Sequence, residues 1–161
     1  MSYKIRAGRP TDGPSLYHAW ESIRAHDAGL DDRIVSVPVS AEDFAADFAG
    51  YVGRQDAAAF IATEGNRIGG FVTCRVELAP ADRIPERHVT IGYLFVDPGS
   101  RRQGLGRKLF DAVATWAAGQ GVDHLEMTVL AANREAADFW RALGFSPFIE
   151  RLWAPLPGHH G

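Results

Sequence analysis

The stretch VDPGSRRQGLGR, residues 96–107, joins an apolar, strand-like run to an amphipathic helix pattern. Pro98 and Gly99 end the strand-like run, and Gly104 and Gly106 leave backbone N–H groups accessible where the helix begins. Unpaired N–H groups and the helix dipole both favour an anion at such a position. Positive charge surrounds it, from Arg101, Arg102 and Arg107. The stretch therefore predicts a phosphate-binding turn between a strand and a helix.

The spacing of the glycines excludes the two most common phosphate loops. The dinucleotide fingerprint requires GxGxxG, and the nucleoside triphosphate loop requires a Lys directly after its last Gly. Neither pattern is present, so a nucleotide-binding protein is a weak alternative. A glycine-containing turn with no ligand, ahead of an ordinary helix, is the other alternative.

A second block, residues 130–145, follows after one more predicted strand. Asn133 is a candidate N-cap, Gly144 suits the position just past the helix end, and Phe145 begins a further predicted strand. The apolar stripe between them comprises Ala136, Phe139, Trp140 and Leu143. Taken alone, this block predicts a capped core helix.

Together the two blocks resemble the GNAT superfamily of acyl-CoA-dependent N-acyltransferases. Arg101-x-x-Gly104-x-Gly106 is similar to the family's pyrophosphate loop, and residues 133–145 are similar to its later N-x-x-A-x-x-F-Y-x-x-x-G-F segment. The resemblance is specific over residues 88–145. It implies one domain over residues 1–161 with an α/β (α+β) fold, a mixed central sheet with helices on both faces. Its fourth and fifth strands splay apart to admit the thioester arm of the cofactor.

The resemblance also implies acetyl-CoA as co-substrate and a set of residues that hold it. The amides of residues 102–107 would take the pyrophosphate, and exposed backbone of Phe95 and Val96 would pair with the pantetheine arm. A backbone N–H near Leu94 would stabilise the oxyanion. The implied cofactor-binding residues are Phe95, Val96, Arg101, Arg102, Gln103, Gly104, Leu105, Gly106, Arg107, Asn133 and Trp140, and the implied catalytic residues are Leu94 and Tyr93.

Two positions depart from the family pattern. Gly92 stands where many relatives carry a Glu, and Trp140 stands where the family usually has a general-acid Tyr. Indole cannot donate a proton as phenol can. Either water or another residue therefore carries the proton, the candidates being Tyr93, His88 and Glu126. Glu21, Asp27, Asp31 and Asp32 would attract a cationic amine or are simply solvated.

The whole chain gives the element order β-α-α-β-β-β-α-β-α-β. Helices are predicted after Thr11 or Asp12, after Ser40, through residues 105–116 and after Asn133. An irregular segment is expected over residues 27–39, and a terminal hairpin around Pro147 that ends near Leu156. The predicted strands are residues 3–7, 57–63, 68–78, 88–96 and 125–129, with a turn at Gly65-Asn66 and a mid-strand bulge or close ligand approach at Gly92.

Composition limits the other function classes. The chain has 161 residues, a net charge of −3, 46% hydrophobic residues and one cysteine. These values favour a cytoplasmic globular domain with no nucleic-acid partner, no membrane segment and no disulfide, and Cys74 is expected to be a buried apolar residue. The six histidines show no metal-ligand spacing, so no metal is expected. A homodimer is compatible with the sequence.

The resulting functional hypothesis is an acetyl-CoA-dependent N-acetyltransferase. It would move the acetyl group directly to a primary amine of a small molecule or peptide. The alternative is a non-catalytic acyl-CoA-binding or regulatory module on the same fold, which Gly92 and Trp140 keep open. The sequence identifies neither the amine acceptor nor the preferred acyl chain.

Overall fold

A five-stranded mixed sheet runs through the molecule in the order β1-β2-β3-β4-β5. The computed structural model describes residues 2–159. Neighbouring strands are antiparallel except for β4 and β5, which are parallel. The mixed sheet expected from the sequence is therefore confirmed. The strands are β1 (Lys4–Ala7), β2 (Ala57–Glu64), β3 (Arg67–Leu78), β4 (Arg87–Val96) and β5 (Leu125–Met127).

Helices cover both faces of the sheet. The helices are α1 (Gly13–Leu30), α2 (Ala41–Val52), α3 (Leu105–Gly119) and α4 (Arg134–Ala142). On one face α1 and α2 bury Leu16, Phe44 and Phe48 against a core that includes Phe71 of β3. On the other face α3 and α4 bury a separate apolar cluster that includes Leu109. Because side chains alternate along a strand, β2, β3 and β4 each contribute to both cores.

Several local sequence signals form the structures expected of them. The Ser40 hydroxyl caps α2 by accepting a hydrogen bond from the Asp43 N–H at 3.0 Å, and the Asn133 side chain caps α4 by accepting from the Ala136 N–H at 3.1 Å. Gly144 has a φ of +100° just after α4, a conformation that glycine adopts readily. Gly65 lies in the turn that joins β2 to β3, with a φ of +59°. Short-range side-chain chemistry therefore sets these element ends.

Three expectations differ from the structure, the first being the strand predicted over residues 125–129, which ends at Met127. Residues 27–30 belong to α1 rather than to an irregular segment. The terminal hairpin around Pro147 and the strand starting at Phe145 do not form, since no strand is found over residues 145–159. The Phe145 N–H instead donates a hydrogen bond to the Trp140 carbonyl at the end of α4. Pro147, Pro155 and Pro157 have no backbone N–H to donate to a neighbouring strand. This segment leaves large apolar side chains exposed: Phe148, Ile149, Leu152, Trp153 and Leu156.

The two ends of β4 have different surroundings. Residues 89–91 pair with residues 125–127 of β5, and no pairing continues beyond Ile91 and Met127. We call residues 87–91 the paired end of β4 and residues 92–96 its open end. Val72 opposes Leu94 while Cys74 opposes Ile91, so Gly92 and Tyr93 together face Thr73 in a β-bulge. The predicted bulge is confirmed, and the open end of β4 borders the predicted fork.

Candidate active site

The loop that follows β4 leaves the start of α3 without a side-chain cap. Gly104 has a φ of +70° and occupies the N-cap position without a side-chain cap. The first helical bond runs from the Lys108 N–H to the Gly104 carbonyl at 3.1 Å. The N–H groups of the first helical turn, from Leu105 to Arg107, therefore precede the helical ladder and point out of the helix start. No acidic residue lies in this first turn, so the helix dipole and the free amides together favour an anion.

The loop is anchored from beneath by a small polar cluster. Ser100 is fully buried, and its hydroxyl lies 2.7 Å from the Tyr3 hydroxyl. Arg67 on β3 forms an ion pair with Asp97 at 3.1 Å. Arg102 has a φ of +64°, which is unusual for a residue with a side chain. These contacts hold the loop so that the arginine side chains of positions 101 and 102 lie on its exposed side.

The second predicted block packs directly against this loop. A Cβ atom at Gly106 would lie 3.0 Å from the ring of Phe139 on α4. Gly106 is therefore required for the contact between α3 and α4, a reason that the sequence did not reveal. Gly104 has no protein atom within 4 Å of its hypothetical Cβ, so its requirement for glycine is the positive φ.

Trp140 lies in an aromatic cluster between α3 and α4. Its ring is 5.0 Å from that of Phe139, 5.2 Å from Phe145 and 6.4 Å from Phe110, all with edge-to-face geometry. Only 5% of the residue is exposed. The structure thus places Trp140 in the core that fixes α4 beside the glycine loop. Its implied role as a cofactor-binding residue stays a prediction.

The open end of β4 provides the unpaired backbone that the resemblance implies. Residues 92–96 pair with β3 on one side only. The carbonyl of Val96 accepts a hydrogen bond from the Arg101 Nε at 3.3 Å, so Arg101 ties the glycine loop to the strand end. Leu94, Phe95 and Val96 therefore lie where an extended ligand could add to the strand, with the start of α3 close behind.

A cavity of about 280 Å³ lies over the β-bulge on the face covered by α1 and α2. It is lined by Tyr51, Thr73, Arg75, Thr90, Gly92 and Tyr93, and all of these except Gly92 carry a polar group on the side chain. The Thr73 hydroxyl accepts a hydrogen bond from the Tyr93 N–H at 3.0 Å. A Cβ atom at Gly92 would lie only 2.7 Å from that hydroxyl oxygen, so this chain leaves no room for a side chain there. The cavity lies at the start of the open end of β4, and the glycine loop follows the last residue of that strand.

Tyr51 on α2 is a cavity residue that the sequence analysis missed. Burial raises the pKa of its phenol above the ordinary value, and this keeps the group protonated and able to donate a hydrogen bond. No local motif distinguishes Tyr51, because the sequence of α2 shows only the pattern of an amphipathic helix.

Cys74 belongs to the core beneath α3 and α4, where it is fully buried, and burial raises the pKa of its thiol to about 12. It is the buried apolar residue expected from the sequence.

The other candidate side chains lie away from the cavity. His88 and Glu126 contact each other at the paired end of β4, where the His88 Nε2 lies 3.2 Å from a Glu126 oxygen. Glu21 pairs with Arg24 at 2.7 Å, and Asp31 pairs with Arg33 at 2.5 Å. Two of the four carboxylates expected to attract an amine, Glu21 and Asp31, are therefore paired with a nearby arginine. Of the proton-carrier candidates, Tyr93 is the one that lines the cavity.

Comparisons with solved structures agree with this architecture. A mutant of a Bacillus halodurans protein superposes with a TM-score of 0.82 at 19% identity, covering 95% of this chain and 99% of that one. A predicted acetyltransferase from Clostridium acetobutylicum, solved with acetyl-CoA, gives 0.72 at 18% identity over 99% of this chain and 100% of that one. An aminoglycoside N-acetyltransferase solved with CoA gives 0.73 at 18% identity, over 97% and 95%. At these identities the likeness shows the fold.

Comparisons of the amino-acid sequence identify relatives and the family. The thialysine N-ε-acetyltransferase of Bos taurus is 34% identical over 64 residues, which are 40% of this chain and 38% of that protein. The catalytic subunit naa20 of the N-terminal acetyltransferase B complex of Schizosaccharomyces pombe is 33% identical over 63 residues, 39% of this chain and 35% of that protein. Each match thus spans less than two fifths of the relative.

Within residues 2–159, no helix is long and apolar enough to cross a membrane. The acetyltransferase (GNAT) family profile matches residues 18–145, most of the chain, and the protein belongs to that family.

Proposed function

We propose that this chain is an N-acetyltransferase that moves an acetyl group from acetyl-CoA to a primary amine. The observation that carries the proposal is the fork beside β4, where pairing with β5 stops after Ile91 and Met127 and leaves residues 92–96 without a strand on that side. These residues run from the cavity at the bulge to the loop that leads into the uncapped start of α3. An extended thioester arm lying in this fork would place its pyrophosphate at the helix start and its acyl group at the cavity.

The cofactor would be held mainly by backbone. The amides of residues 102–107 face an anion, and Arg101, Arg102, Gln103 and Arg107 surround it with donors. Phe95 and Val96 would hydrogen-bond to the pantetheine arm as a partner strand does. Asn133 keeps α4 in place beside the loop by capping its first turn. The relatives solved with CoA and acetyl-CoA support this assignment.

Direct transfer needs a neutral amine, a polarised carbonyl and an outlet for one proton. The amine nitrogen adds to the thioester carbon to give a tetrahedral oxyanion, and the carbon–sulfur bond then breaks. The departing thiolate takes up one proton from solvent, and the nitrogen gives up one. The Leu94 N–H would stabilise the oxyanion. The amine's excess proton would pass to solvent near Tyr93, because Gly92 provides no carboxylate at the bulge. Turnover should therefore rise with pH until the amine is neutral.

The names of the relatives support an amine acceptor, since they include thialysine, aminoglycoside and protein N-terminal acetyltransferases. The cavity residues Tyr51, Thr73 and Thr90 offer hydroxyl groups to a polar acceptor. Small amines and peptide amines both remain within the proposed class.

A cytoplasmic location is part of the same proposal. So is a homodimer, because a second copy would cover the exposed apolar side chains of residues 148–156.

The test is a panel of amines with CoA release as the readout. Steady turnover of acetyl-CoA with any panel member is the expected result. The alternative, a non-catalytic acyl-CoA-binding module, predicts saturable binding of acetyl-CoA by calorimetry with no turnover. Absence of acetyl-CoA binding would contradict both.

A further inference from the structure

Three metal-ligating side chains meet at the paired end of β4, away from the proposed acyl-transfer site. His88 lies on β4, His124 is the residue before β5, and Glu126 lies on β5 itself. The residues that follow the two histidines, Val89 and Leu125, are the first pair of the parallel ladder. The two imidazole rings stack with their centroids 5.4 Å apart. Each of the three residues offers a ligand atom, and these atoms all lie within 4.8 Å of one another.

The separations are compatible with a shared metal ion as well as with direct ion pairs. The His88 Nε2 lies 3.2 Å from one Glu126 oxygen, and the His124 Nε2 lies 3.1 Å from the other. Charge-assisted N–H···O bonds are usually shorter, about 2.7–2.9 Å. Two ligands that each lie about 2.0–2.1 Å from a tetrahedral Zn²⁺ are separated by about 3.3 Å. The two nitrogen–oxygen distances are close to that value, and each involves a different oxygen of Glu126.

The surroundings fit a metal site and allow entry to it. The Nδ1 of His124 lies 2.9 Å from an Asp123 carboxylate oxygen, which is the arrangement that orients an imidazole ligand through its second nitrogen. A Glu77 oxygen lies 3.8 Å from the His88 Nε2, near enough to supply or support a fourth position. The His88 side chain is 7% exposed, whereas those of His124 and Glu126 are 37% and 31% exposed. An ion could therefore reach the site from solvent.

We propose that His88, His124 and Glu126 form a binding site for a divalent transition-metal ion, with Zn²⁺ as the ligand of first choice. Two imidazole nitrogens and one carboxylate are a common donor set for Zn²⁺. The ion would bridge β4 and β5 where they are paired, next to the point at which the strands separate. It would thus reinforce a ladder that extends over only residues 89–91 and 125–127.

The affinity should be moderate. The buried Nδ1 of His88 has no hydrogen-bond partner within residues 2–159, so this imidazole lacks the second-nitrogen support that His124 has. Such partners are worth about 10–100-fold in metal affinity. The site should bind Zn²⁺ more weakly by about this factor than one in which both imidazoles are supported.

The experiment is a Zn²⁺ titration of tag-free full-length protein after chelator treatment. Calorimetry should show one ion per chain, and Zn²⁺ should raise the unfolding temperature because it binds the folded state. Glu126→Gln, which keeps the side-chain size, should weaken Zn²⁺ affinity by at least about tenfold. His124→Gln should do the same.

The controls separate this site from the other histidines. His18→Gln changes an exposed histidine of α1, and His159→Gln combined with His160→Gln removes the adjacent pair near the end of the chain. Both controls should bind Zn²⁺ like the wild type. In the wild type itself, imidazole NMR signals of His88 and His124 should shift on titration while that of His18 does not. Absent saturable binding, unchanged affinity in a folded Glu126→Gln, or binding lost with the terminal pair would each overturn the proposal.

Discussion

Residues 87–91 of β4 lie beside β5, whereas residues 92–96 have no strand on that side. At the paired end the chemistry is in the side chains, because His88 meets His124 and Glu126 across the parallel ladder. At the open end it is in the backbone, because Gly92 carries no side chain and the following residues have a strand partner only on the β3 side. The comparison teaches that one strand can contribute to two proposed sites of different origin. The open end depends on a local loop motif, and the paired end depends on which strands become neighbours.

Replacing Trp140 with Ala tests what keeps the open end in shape. The substitution empties the centre of the aromatic cluster between α3 and α4, and loss of a buried Trp typically lowers the free energy of unfolding by about 3–5 kcal/mol. Chemical denaturation measures this change. Trp140→Phe, which keeps an aromatic ring, should lose much less stability. If Trp140→Phe stays folded but loses acetyl-CoA affinity, the indole contacts the cofactor and is more than a core residue.

Proton-carrier variants test whether the two ends cooperate in catalysis. Tyr93→Phe at the open end, and His88→Gln or Glu126→Gln at the paired end, should each lower turnover by less than about a hundredfold, or about 2.7 kcal/mol. The reason is that solvent takes the proton in the proposed mechanism. Steady-state kinetics across a pH series, with acetyl-CoA affinity measured in parallel, checks this. A larger loss at one position with binding and folding preserved would reveal a dedicated proton carrier.

Gly104→Val tests the backbone anion site at the open end. A β-branched residue cannot readily adopt the φ of +70° found there, so the helix start should distort. Acetyl-CoA affinity should fall at least tenfold, about 1.4 kcal/mol, by calorimetry. Gly119→Val is the matched control, because Gly119 at the other end of α3 has open space around its hypothetical Cβ. Unchanged affinity in a folded Gly104→Val variant would remove the glycine loop from the cofactor site.

Asn133→Ala gives the smallest expected effect. It removes the hydrogen bond to the Ala136 N–H, and loss of such a cap usually lowers stability by about 0.5–2 kcal/mol. Thermal and denaturant unfolding measure the change. Ser40→Ala removes the equivalent cap of α2 and provides the reference for a cap remote from the glycine loop. A drop in acetyl-CoA affinity specific to Asn133→Ala would show that the cap also positions cofactor-binding groups.

Much of the fold was predictable because its signals are local. Ser40 and Asn133 mark helix starts, Gly144 marks a helix end, and the glycines of residues 96–107 mark a strand-to-helix turn. The resemblance then implied the fork that the structure contains. The terminal hairpin was wrong because strand formation needs a partner ladder, and alternating apolar residues near the end of the chain give no information about whether a neighbouring edge is available.

The sequence by itself predicted the backbone site, since the glycines, the helix start and the arginines lie within twelve consecutive positions of residues 96–107. Only the tertiary structure decided what lies around that site. Gly106 is needed because Phe139 packs on it, and Tyr51 reaches the cavity from α2. His88 joins His124 and Glu126 because β4 and β5 run parallel in one register. The physical reason is that strand pairing and helix packing join residues far apart in the chain, and no spacing along the sequence records those contacts.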